Sequence, residues 1–92
     1  MVCPLNDTEL LIAGGYCGDR LSDFVVVNPE TRVAQTLAVR CSFKFQCTDR
    51  AQMAAPGEVF AVVRAFEYGQ EKHYVVQFSS ATNELSKIKC LN

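Results

Sequence analysis

The most constraining feature of this 92-residue chain is a pattern it uses twice. Residues 22–32, SDFVVVNPETR, align without a gap to residues 73–83, HYVVQFSSATN, at an offset of 51. The same offset lays the apolar run Leu10 to Ala13 on Ala61 to Arg64, and the turn residues Asn6-Asp7 on Gly57-Glu58. Each copy therefore reads as turn, apolar strand, loop, apolar strand, tight turn, strand. A unit of about 50 residues with about four strands cannot bury both faces alone and needs neighbours of its own kind.

Strand signals run through the rest of the chain. Phe24-Val25-Val26-Val27 is largely β-branched and stops at Asn28-Pro29-Glu30-Thr31, a turn cluster. Val33 to Val39 reads as extended, and Cys41 to Cys47 alternates apolar with polar, the period of a strand with one buried face. Pro56-Gly57 marks a turn before Val59 to Val63; Tyr74 to Phe78, a turn over 79–83 and Glu84 to Ile88 follow. Only Ala51 to Ala55 could hold a helical turn. The expectation is an all-β fold of seven or eight short strands, divided as 1–50 and 51–92. Phe43 and Phe45 share a strand face and belong to the core. Lys87 to Leu91 reads as an outer edge strand guarded by lysines.

These residues resemble kelch repeats. Leu11-Ile12-Ala13-Gly14-Gly15-Tyr16, then Leu21 to Val27, then Asn28 to Thr31, match the order of an apolar strand ending in a glycine pair, a variable loop, a second strand and a tight turn. Gly14 and Gly15 suit an inner strand end where a side chain would clash, and Asn28 and Pro29 suit the following turn. The second copy departs from the pattern: Arg64-Ala65 replaces the glycine pair. Ala34 holds the place of the usual tryptophan, and the chain has no Trp. The resemblance implies a kelch-type β-propeller of about two four-stranded antiparallel blades, an incomplete ring. At about 50 residues per blade and 4 to 8 blades per ring, the expectation is the C-terminal part of a larger propeller, or copies that close a ring together. The alternative architecture is a small β-sandwich or barrel.

Composition narrows the function. Nine Lys and Arg against ten Asp and Glu give a net charge of -1, without the basic excess of a general nucleic-acid binder. No apolar run approaches the roughly 20 residues that span a bilayer, and Met1 to Ile12 lacks the basic start of a secretory leader. A cytoplasmic location is expected, with the five cysteines, Cys3, Cys17, Cys41, Cys47 and Cys90, as mostly buried free thiols. Disulfides and a metal site are the alternatives, but no C-x-x-C pair is present. Asn6-Asp7-Thr8 matches the glycosylation acceptor and is read as a chance match.

Catalysis finds little support. The lone His73 reads as a strand-edge residue, and Asp19, Asp23, Glu67 and Glu71 fall in or near loops. Gly14 to Gly18 lacks the lysine and helix of a phosphate-binding loop. A copper oxidase fragment, known among kelch-type propellers, would need more imidazoles than one. No cofactor is expected. What remains is a non-catalytic protein-interaction module. Candidate contacts are Tyr16, Asp19 and Arg20 in one loop, Phe66, Tyr68 and Lys72 in another, and Arg40 and Arg50 in the connection, since Tyr and Arg are enriched at interface hot spots. The resemblance implies protein partners in a ubiquitin-ligase or cytoskeletal assembly and other blades in the same or another chain. A small all-β structural subunit of a large assembly is the alternative.

Overall fold

A computed structural model describes residues 1–13, 16–17 (backbone only), 24–39, 41 and 43–91. They form nine strands and no helix, an all-β chain. The first sheet holds β1 (Val2–Pro4), β2 (Leu10–Ala13), β4 (Phe24–Asn28) and β5 (Val33–Thr36), in that order. The second has the order β3-β6-β7-β8-β9. Its members are the two-residue β3 (Tyr16–Cys17), then β6 (Phe45–Ala55), β7 (Glu58–Glu67), β8 (Gln70–Ser79) and β9 (Glu84–Cys90). Every pairing is antiparallel. Ala51 to Ala55, ambiguous in sequence, is strand. Of Cys41 to Cys47, the strand begins only at Phe45. The boundary expected between residues 50 and 51 falls inside β6.

The repeat survives in the topology. β2, β4 and β5 have β7, β8 and β9 as counterparts, and the end of β6 stands where β1 stands. The turns match closely. Asn28 Oδ1 accepts the N–H of Glu30 (3.0 Å) and of Thr31 (3.2 Å), while its carbonyl accepts the N–H of Arg32 (2.8 Å). This turn ends on Arg32 at φ 59°, and 51 residues later the corresponding turn ends on Asn83 at φ 54°. The central hairpins differ by a slide. At the offset of 51, Leu11↔Val26 would become Val62↔Gln77, but Val62 faces Val75. A two-residue slide leaves every side chain on its own face, whereas one residue would invert them all.

The two sheets bury opposite faces of the same unit. Along an antiparallel strand, backbone amides alternate between the two neighbours, and side chains alternate between the faces with the same period. The chirality of L-residues locks these alternations together. Phe24 C=O accepts the N–H of Leu37 (2.8 Å), so Phe24 aims its amide at the fourth-strand side of its sheet. His73 C=O accepts the N–H of Leu91 (2.8 Å), on the β9 side, so the next residue, Tyr74, aims at β7. Phe24 and Tyr74 are both buried. With identical strand order and direction, core residues aimed at opposite neighbours stand on opposite faces. The inner face of the first sheet (Leu11, Ala13, Phe24, Val26) thus packs on the inner face of the second (Ala61, Val63, Val76, Phe78), front to back.

Phe24 ties the layers together. Its ring meets Phe45 edge-on at 6.3 Å and Phe78 at 6.0 Å. Cys3, Leu5, Val39, Val59 and Leu85 complete one continuous core. Burial pushes the Cys3 thiol above its ordinary pKa, keeping it protonated, and it donates to Pro4 C=O at 3.3 Å. Gly57 (φ 84°) joins the layers through the backbone: its N–H donates to Leu5 C=O (2.7 Å) and its C=O accepts from Ser80 N–H (2.9 Å).

Candidate interaction surfaces

The β7–β8 hairpin carries two of the expected contact residues. Pairing is unbroken from Glu58↔Ser79 to Glu67↔Gln70, so only Tyr68 and Gly69 form the turn. Both have positive φ, 53° and 76°, as a type I′ turn requires. The open loop expected over 66–73 is therefore a correction: those residues are strand apart from the two at the tip. Gly69 supplies one left-handed position, but Tyr stands where Asn, Asp or Gly is the rule, which hid the turn from sequence inspection. Tyr68 is 99% exposed and Phe66, on the outer face, 68%. Lys72 pairs with inward-facing Ala65 and so lies on the opposite face from Phe66.

The other expected residues do not gather there. Arg50 is an exposed member of β6 rather than of a loop. The backbone of Tyr16 pairs with Gln46 at the start of β6. Asn28 caps the turn described above, with exposed Pro29 as its next residue. Asp19, Arg20, Arg40, Gly14 and Gly15 lie outside the described residues.

Arg50 belongs to a feature the sequence did not announce. Between Cys47↔Val63 and Ala51↔Ala61, β6 advances four residues while β7 advances two. Thr48, Asp49 and Arg50 therefore bulge opposite Val62. Thr48 Oγ1 donates to Val62 C=O (2.6 Å) and accepts the N–H of Arg50 (3.2 Å). Bulges re-aim side chains and bend strands. Here the bulge rims an open cup of about 430 Å³ with Arg64, His73 and Leu91. Arg64 Nε lies 3.4 Å from Glu71 Oε1, an ion pair. A second hollow of about 370 Å³ lies over Phe60, Val62 and Val75. Among the described residues, no three His, Cys, Asp or Glu side chains are grouped to hold a metal ion.

A second polar cluster fastens β7, β8 and β9 together. Tyr74 Oη donates to Glu67 Oε1 at 2.5 Å, and Lys87 Nζ lies 3.4 Å from the same oxygen. The ammonium also stands 4.3 Å from the Tyr74 ring centroid and 4.4 Å from that of Phe43, over both aromatic faces. The bond from Tyr74, assisted by Lys87, holds the Glu67 carboxyl below its ordinary pKa. The bond to Glu67, with desolvation added, pushes Tyr74 up to about 12. The cluster is a clasp in which every partner is engaged.

The outer faces of the two sheets differ in kind. Val2, Pro4, Leu10, Ile12, Val25, Val27, Ala34 and Thr36 share the outer face of the first sheet by register, and none is charged. The outer face of the second includes Gln46, Gln52, Arg64, His73 and Gln77 around Phe60, Val62 and Val75. An antiparallel sheet with one solvated face normally makes that face polar. The second sheet follows this rule and the first does not. Comparison with family models, with curated proteins and with solved structures finds no match for this chain. No helix among the described residues is long and apolar enough to cross a membrane.

Proposed function

We propose that this chain is a two-blade segment of a kelch-type propeller that serves as a non-catalytic protein-interaction module, with the β7–β8 hairpin tip as its contact point. Front-to-back stacking of two equivalent meanders supports the blade reading, since blades around an axis bury opposite faces on their two neighbours.

The observation that carries the binding reading is Tyr68. A non-glycine residue with positive φ costs roughly 1–2 kcal/mol, and an exposed tyrosine there gains no compensating burial in the free chain. Phe66 beside it adds a second exposed ring. Aromatic anchors of this kind bury large areas on a partner at low entropic cost. A scaffold or substrate-recognition role, presenting a protein to a ubiquitin-ligase or cytoskeletal assembly, fits such a tip.

The test separates turn chemistry from recognition. Tyr68→Asn places a favoured type I′ residue at the tip, so the thermal midpoint should hold or rise. Quantitative affinity purification of the wild type and the variant should show the same partners depleted from Tyr68→Asn and from Phe66→Ser. Retention of all partners by both folded variants overturns the reading.

A further inference from the structure

We infer that the uncharged outer face of the first sheet is an interface for a second copy of this chain, joined front to back through the outer face of that copy's second sheet. The inference rests on the blade reading above and extends it to a surface and an occupant.

The argument begins with equivalence. At the offset of 51, Leu10, Ile12, Val25 and Val27 on the open face correspond to Ala61, Val63, Val76 and Phe78. Those four form the inner face of the second sheet, which the first sheet already covers. The open face is thus the same side of the repeat as one that is packed. Conversely, Leu11, Ala13, Phe24 and Val26, which do the covering, correspond to Val62, Arg64, Val75 and Gln77 on the outer face of the second sheet. The chain therefore displays both halves of its own internal interface, one at each end.

Chemistry agrees at the centre and differs at the rim. Val62 and Val75 are cross-strand neighbours with Phe60 nearby, a narrow apolar strip for Ile12 and Val25 to meet, flanked by Lys89 beside Val75 and by Asp49 and Arg50 at the edge of the hollow. Arg64 is ion-paired with Glu71 in its own sheet at 3.4 Å, and Asp49 and Arg50 bring opposite charges to the same rim, so of the cations bordering the strip Lys89 is the one that must extend its ammonium past the uncharged partner face into water. Four strands with no charged outward residue are otherwise an aggregation hazard in water. Because the two faces are different surfaces, the contact is heterologous, and repetition closes a ring or runs on as a filament. With two sheets per copy, rings of two, three or four copies hold four, six or eight sheets, within the range of known propellers.

Light scattering after size exclusion, over a wide concentration range, reads the mass. The wild type is expected at a small multiple of the single-chain mass. Val27→Glu on the open face and Phe60→Glu on the opposite face should each lose that state. Mixing the two should restore one mixed dimer, since each variant keeps the face the other lacks. Ile12→Lys serves as a second open-face variant, and circular dichroism confirms that each variant is folded. A folded wild type that stays monomeric at every concentration overturns the inference, while the Tyr68 experiment still judges the binding role. Loss of assembly in Val27→Glu with none in Phe60→Glu shows two open faces paired by a two-fold axis. That result overturns both this inference and the blade reading.

Discussion

Val25 and Val76 are the same amino acid at the same place in the repeat, 51 residues apart. They differ in the face they occupy: Val76 is fully buried between the sheets, and Val25 is half-buried on the open face. Truncating each to alanine therefore isolates the effect of the face. Val76→Ala removes two buried carbons at about 0.8 kcal/mol each. With the cavity left behind at about 24 cal/mol per Å³, the loss is about 2–3 kcal/mol. At about 4–8 °C per kcal/mol for a domain of this size, the midpoint falls by about 10–20 °C. Val25→Ala removes the same atoms from a partly wet surface, for about 0.5–1 kcal/mol and a fall of about 2–8 °C. The assay is thermal denaturation followed by circular dichroism at a dilution where the chain is monomeric. An equal fall in both variants, or a larger one in Val25→Ala, would refute opposite-face packing.

The Glu67–Tyr74–Lys87 clasp predicts a pH dependence on both flanks. Tyr74 has its folded pKa raised to about 12, so its contribution is full below the unfolded value near 10 and lost between about 10 and 12. Ultraviolet titration should show one tyrosine ionising last, and Tyr74→Phe should remove that step. Glu67 has its folded pKa depressed, so its contribution is present above the unfolded value and fades as pH falls through the folded one. Glu67→Gln should flatten the acid limb of a plot of midpoint against pH. Gly57 and Gly69 both have positive φ, but a Cβ on Gly57 would lie 2.7 Å from Ser80 Oγ, while one on Gly69 meets nothing within 4 Å. Gly69→Ala should cost the left-handed penalty of about 1–2 kcal/mol, and Gly57→Ala about the same, because exposed Ser80 can rotate its hydroxyl away from the new methyl; urea denaturation measures both, and a much larger loss at Gly57 would refute this.

Much of the fold was legible because its signals are local. β-branched runs bounded by Asn, Pro and Gly mark strands without reference to distant residues, and Asn28 builds its turn with its own side chain. The gapless repeat located both outer hairpins, since turn geometry depends on four or five neighbouring residues. The candidate site was less legible. Tyr68 was a reasonable contact residue by type, but its place in a two-residue turn depends on β7 and β8 pairing through ten rungs. The bulge at Thr48–Arg50 has no composition of its own: it shows only in the pairing of β6 with β7, where β6 advances four residues against two.

Periodicity along the chain determined that this protein is made of paired antiparallel meanders, because alternation and turn chemistry are properties of neighbouring residues. It could not say which of two apolar faces each meander would bury. In Phe24-Val25-Val26-Val27 both alternating sets are hydrophobic, so either could form the core. The choice was made only when a second sheet arrived to cover one of them, because burial is a property of the pair of sheets.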